Sequence, residues 1–315
     1  MRTRHIALAV IAIVAALLAA GAAQATTVGF AQVGYESDWR TAFSADMKAE
    51  AARRGITLLF ANADNDATRQ RAQVLEFVAA HVDAIVIAPV VVTGWTETLQ
   101  KVRAAGIPVF LADRAVDSDP SLFVARIAAD FNLEGRLAGA WLALTTLGTC
   151  GIVELQGSAG AEPTIQRHKG FLAVISQFPN MRILRSVDGD FTHESGKTAM
   201  EGLIHGTDGL KNVCAVWSHN DNMLLGAIAA MHAAGLHPGR DQLMVSVDGV
   251  PDIFRAMLAG DSNMSVELKS DIGKYIFDVV QGYLGGRRDY PKWVLIPSAV
   301  HTQADAAAVL AKRGL

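Results

Sequence analysis

The sequence predicts an α/β protein built from two doubly wound, Rossmann-like lobes. Short apolar runs suited to strands alternate with helical stretches throughout the chain. In the first half the strands recur about 25 to 30 residues apart, the spacing of a strand–helix–strand crossover. The alternation then restarts near Asn132 with no long linker between the blocks.

The first unit, Val28 to Gly55, sets the pattern. Val28, Phe30 and Val33 lie in a strand-like run, and Trp39, Phe43 and Met47 mark one face of a helix. Gly55, after Arg53-Arg54, closes that helix. ITLLFANADND is a strand entering a polar loop, with a helix to about His81. DAIVIAPVV is a continuous apolar run, as in a sheet covered on both faces. A helix ends at Gly106, IPVFLAD is a strand, and Leu122 to Ile127 is extended. In the second block, helices are expected from Asn132, Pro163, His193, Asp221, Pro251, Asp271 and Thr302. GIVELQG, MRILRSVDGDF, NVCAVWSHND, LMVSVDG, NMSVELKS and WVLIPSAV are the strands between them.

The chain has 315 residues, 51% hydrophobic and 19% charged, with a net charge of −3. That is a globular composition with no basic excess for nucleic acid. Arg2 and Arg4, the uncharged run Ile6 to Ala20 and the triplet Ala23-Gln24-Ala25 fit an export signal over residues 1–25. Its removal would leave Thr26 first. Cys150 and Cys214 each precede an apolar run. If those runs are neighbouring parallel strands, a disulfide can form in an oxidising compartment; otherwise the two are buried thiols.

Polar residues recur at the carboxyl ends of the strands, where open α/β sheets bind ligands. They are Glu36, Ser37, Asp38 and Arg40 after the first strand, then Asp113, Arg114, Asn220, Asp248 and Glu267. Arg167 lies on a helix, and Trp39 could act as an aromatic plate. Forked carboxylate, amide and guanidinium groups of alternating charge suit the hydroxyls of a neutral sugar. Each residue also has a plainer role open to it. Asp113-Arg114 fits a surface pair, Asn220 a helix N-cap, Asp248-Gly249 a turn and Trp39 core. Gly189 and Gly196-Lys197-Thr198 lack the phosphate-loop spacing. Gly157-Ser158-Ala159-Gly160 is not a nucleophile elbow. Asp248 and Glu267 could be drawn as a glycosidase pair, but binding fits the scattered polar set better. No cofactor or metal site is expected.

VGFAQVGYESDWR, DAIVIAPVVVTGW, IPVFLADR, ELQGSAGA, RHKGF, SHNDNMLLGAI, VSVDGVPDI and SVEL resemble the periplasmic binding proteins of ABC sugar importers. Within that type I family the chain is most similar to the galactofuranose-binding branch. Tyr35 and Asp38 stand where that branch has a small residue and a glycine. The resemblance implies two lobes joined by a three-stranded hinge, with crossings near Ala128, Glu267 and Leu295. The lobes would be residues 26–128 with 268–294, and 129–267 with 295–315. It also implies a periplasmic, non-enzymatic monomer without nucleic-acid partners. That monomer would bind a monosaccharide in furanose form and deliver it to an inner-membrane ABC permease. The ligand contacts would be the eleven residues named above, and the cysteines a disulfide pair. The rivals are a LacI-type regulator, which would need a helix-turn-helix of about 60 residues at the N-terminus, and a carbohydrate-active enzyme.

Overall fold

The computed structural model describes residues 25–315. The expected export signal, residues 1–25, lies outside this range except for its last residue. Two six-stranded sheets form the framework. The first contains β1 (Thr27–Gln32), β2 (Thr57–Asn62), β3 (Ala84–Ile87), β4 (Val109–Ala112), β5 (Ala125–Ala128) and β11 (Trp293–Leu295), in the order β11-β5-β4-β3-β1-β2. All its pairings are parallel. The second contains β6 (Thr149–Gln156), β7 (Asn180–Asp188), β8 (Ala215–Ser218), β9 (Leu243–Asp248), β10 (Met264–Glu267) and β12 (Ala299–Thr302), in the order β12-β10-β9-β8-β6-β7. Only β12 runs antiparallel to its neighbour.

Helices cover the sheets. α1 (Asp38–Arg53), α2 (Ala67–Ala79) and α3 (Thr96–Ala104) follow the first three strands. α4 (Phe131–Thr145), α5 (Glu162–Ile175), α6 (His193–His205), α7 (Asp221–Ala233) and α8 (Pro251–Ala259) belong to the second block. α9 (Gly273–Leu284) packs against α1 and β4, and α10 (Ala306–Lys312) against α8. The eight inner strands are buried along most of their length, as continuous apolar runs require, while the edge strands β2, β7, β11 and β12 are partly exposed. In the second sheet, Phe171 stacks on Trp217 with ring centroids 4.9 Å apart.

WVLIPSAV is two strands where the sequence suggests one. β11 joins the first sheet and β12 the second. Pro297, between them, cannot donate to a ladder and sits where the chain changes sheets. The chain also changes sheets between β5 and β6 and between β10 and β11.

Cys150 in β6 and Cys214, just before β8, form a disulfide with Cα atoms 5.5 Å apart. β6 and β8 are parallel neighbours, which brings both thiols to the edge where these strands begin. The carboxyl ends of the same strands carry the polar residues considered next.

Candidate ligand-binding cleft

Between the sheets lies a small cavity of about 20 Å³. Its lining includes Glu36, Ser37, Trp39, Arg40, Asp113, Arg114, Arg167, Asn220 and Asp248. The local folding explains how they meet. Ser37 caps α1, its hydroxyl accepting from the Arg40 N–H at 3.1 Å. Glu36 and Arg40 are four residues apart and point the same way, with Arg40 Nε 3.3 Å from Glu36 Oε1. Asp113 follows β4 in a left-handed conformation, φ 65°, which an aspartate tolerates better than most residues. It accepts from Arg40 Nη2 at 2.8 Å. Arg114 Nη2 reaches Glu36 Oε1 at 3.1 Å.

The other wall comes from the second sheet. Helices α4 and α5 cross closely at Gly135 and Gly170. A Cβ on Gly135 would lie 2.1 Å from the Arg167 carbonyl oxygen, and one on Gly170 2.0 Å from that of Asn132. This contact lets Glu134 on α4 accept from Arg167 Nε at 2.9 Å. Arg167 Nη1 donates to the His219 carbonyl at 2.6 Å, and Nη2 stands 3.6 Å from Asp248 Oδ1. Asn220 caps α7 through Met223 N–H at 3.0 Å and donates to the Phe191 carbonyl at 2.9 Å. Capping and cavity lining are thus both true of Asn220.

Four buried polar atoms in this lining have no hydrogen-bond partner: Glu36 Oε2, Asp113 Oδ1, Arg40 Nη1 and Arg114 Nε. Two are acceptors and two are donors. Burial and the neighbouring Arg40 lower the Arg114 pKa to about 10. For Arg40, burial acts downward but Asp113 and Glu36 outweigh it and raise the value. Burial pushes the Asp248 carboxyl well above the usual range despite Arg167.

Two of the expected contacts lie elsewhere. Asp38 is exposed and bonds Asn222 on the opposite lobe, accepting its amide at 2.9 Å and donating its backbone N–H at 3.1 Å. Glu267 is held outside the cavity by Arg313 at 2.6 Å and His301 at 3.0 Å. Tyr35 is 48% exposed and rests against Phe60. Trp39 lines the cavity but donates its indole N–H to the Leu268 carbonyl at 2.7 Å, and Arg40 lies 4.7 Å from its ring centroid.

The sequence reading missed Phe131, Pro163, Phe191 and Leu268 in the lining. Phe191 follows β7 at φ 63°, its ring against Gly157, where a Cβ would sit 1.9 Å from it. The polar turn Asp188-Gly189-Asp190 at a strand's carboxyl end was the available signal. Glu134, behind Arg167, was signalled only as an acid in the first turn of a largely apolar helix.

The periplasmic binding protein domain family matches residues 28–288. The chain belongs to that family. A galactofuranose-binding protein of Escherichia coli K12 is 45% identical to it over 97% of each chain. The arabinose ABC transporter's periplasmic binding protein from Shewanella sp. ANA-3, solved with α- and β-L-arabinofuranose, is 51% identical. It superposes with a TM-score of 0.89 over 91% of this chain and 95% of its own. A crystal structure of a galactofuranose-binding protein is 45% identical, with a TM-score of 0.90 over 92% and 98% of the two chains. The two-lobed fold is that of the family, and the cavity lies between its lobes.

Proposed function

We propose that this protein is the periplasmic component of an ABC sugar importer that binds a monosaccharide in furanose form between its lobes. Galactofuranose and arabinofuranose, named for the similar proteins, are the leading ligands. The observation that carries the reading is the set of four unpartnered atoms on Glu36, Asp113, Arg40 and Arg114. A buried polar atom left unpaired costs about 1–3 kcal/mol. Sugar hydroxyls both donate and accept, so one neutral molecule can satisfy both carboxylate oxygens and both guanidinium nitrogens. Phe131, Phe191 and Trp39 supply apolar surface for the ring carbons.

On this reading the lobes, residues 26–128 with 268–294 and 129–267 with 295–315, close on the sugar about the three crossings. The closed monomer presents it to an inner-membrane permease. Glu36, Asp113, Arg40, Arg114, Arg167, Asn220 and Asp248 hold hydroxyls, and no bond of the sugar is broken. The test is calorimetry of the mature protein against arabinose, galactose, ribose, glucose and xylose, followed by crystals with the tightest ligand. A furanose binder saturates only on the small furanose fraction of the added sugar. A pyranose ring in the crystal would overturn the ring form, and no binding to any of the five would overturn the sugar reading.

A further inference from the structure

We infer that Asp221 is a positioning residue for the cleft: it holds the turn after β9 in the conformation that directs Asp248 toward Arg167 and the cavity. The inference deepens the sugar-binding reading and rests on it. Asp221 opens α7 and is fully buried, but it does not line the cavity. It is not needed as a cap, because Asn220 performs that task. Among the described residues no cation pairs with it. Its carboxylate instead gathers donors from two strands and one turn. Oδ1 accepts from Ser246 Oγ on β9 at 2.5 Å and from Ser265 Oγ on β10 at 2.9 Å. Oδ2 accepts from the Val250 N–H at 2.8 Å.

The turn so held is unusual. Asp248 has φ 124° and Gly249 φ 72°, two successive residues in a region that only glycine enters freely. A residue with a side chain stays there only when its surroundings enforce it. The Val250 N–H, two residues beyond Asp248, is fixed by Asp221. Burial raises the Asp221 pKa to about 6. Keeping a carboxyl without a counter-ion at this depth is unfavourable, and the fixed turn is what it obtains in exchange.

The experiment uses Asp221→Ala, Asp221→Asn, Asp248→Ala and the Asp221→Ala/Asp248→Ala double variant. Arabinose and galactose binding is measured by calorimetry, and crystal structures of the two Asp221 variants are solved. In Asp221→Ala, Asp248 should leave φ 124° and its carboxyl should move off Arg167. Affinity should fall by at least ~10-fold, and adding Asp248→Ala should cost little more, because Asp221 acts through Asp248. Asp221→Asn can offer its oxygen to the Val250 N–H and its amide to the serine hydroxyls. It should keep the turn and bind within ~3-fold of wild type. Additive losses in the double variant would overturn the inference, as would an unmoved Asp248 in Asp221→Ala. If Asp221→Ala does not fold, Asp221→Asn still decides: a loss above ~10-fold with Asp248 in place refutes the role. Wild-type protein that binds neither sugar would count against arabinose and galactose as ligands and not against the inference, since the Asp248 geometry in the variants is read without ligand.

Discussion

Replacing Asn222 with alanine should weaken every sugar by the same factor. Both side-chain hydrogen bonds of Asn222 go to Asp38 across the cleft, one from the Asp38 backbone N–H at 3.1 Å and one to its carboxylate at 2.9 Å. Neither residue lines the cavity. The pair can form only when the lobes are together, so it favours the closed state without touching the ligand. Each bond contributes about 1 kcal/mol, the charge-assisted one no more because Asp38 is exposed. Their loss therefore shifts the open–closed balance by about 2 kcal/mol, a ~10- to 30-fold rise in Kd. Because the bonds hold the closed form, the change should fall on the dissociation rate. Calorimetry and stopped-flow fluorescence of Asn222→Ala against two sugars will check this. A Kd within twofold of wild type, or a loss confined to one sugar, would refute a ligand-independent latch.

The disulfide lies at the opposite edge of the second sheet from the cleft and closes a loop with a sequence separation of 64. The Cys150→Ala/Cys214→Ala variant should lose about 4 kcal/mol of stability by loop entropy, read as a lower Tm, while sugar affinity is unchanged. Glu154 reports on pH. Burial acts to raise its carboxyl pKa, but His219, Ser186 and His168 outweigh burial and hold it at about 2. A depressed carboxylate stabilises the fold above its unfolded value near 4.5, and the gain is lost as pH falls toward 2. Glu154→Gln should thus be less stable than wild type at neutral pH. That gap should close in urea titrations between about pH 4.5 and 2, and a gap independent of pH would contradict the assignment.

The alternation of strand and helix was legible because the inner strands are covered on both faces and must be apolar along their length. The polar residues at strand ends were legible for the converse reason: little but function keeps charge beside such a sheet. Asp38 was misplaced because sequence proximity is not facing. Glu36, just before the N-cap, meets Arg40 in the first turn, whereas Asp38, midway between them, points away toward Asn222. Glu267 was misplaced because its strand register is opposite Asp248, but the turn at Gly249 lies over it and Arg313 holds its carboxylate. Phe191 could not be read from periodicity, since it belongs to neither strand nor helix and depends on a positive φ.

The same geometry explains why a neutral ligand suits so charged a cleft. Arg40, Arg114 and Arg167 face Glu36, Asp113, Glu134 and Asp248, and burial favours a proton on Asp248. The charges therefore nearly cancel before any ligand enters. An ionic ligand would have to compete with an internal partner at 2.8–3.6 Å, leaving that partner buried and unpaired. A hydroxyl displaces none of these pairs. On the proposed reading it would use the carboxylate oxygen or guanidinium nitrogen that each pair leaves over, and those left-over atoms are one on each of Glu36, Asp113, Arg40 and Arg114. Selectivity among sugars then follows from the positions of those four atoms. A stereoisomer that moves one hydroxyl out of reach leaves one buried charge-bearing group unsatisfied, worth about tenfold or more in affinity. The cleft needs no net charge to discriminate, because its internal ion pairs fix where each acceptor and each donor is offered.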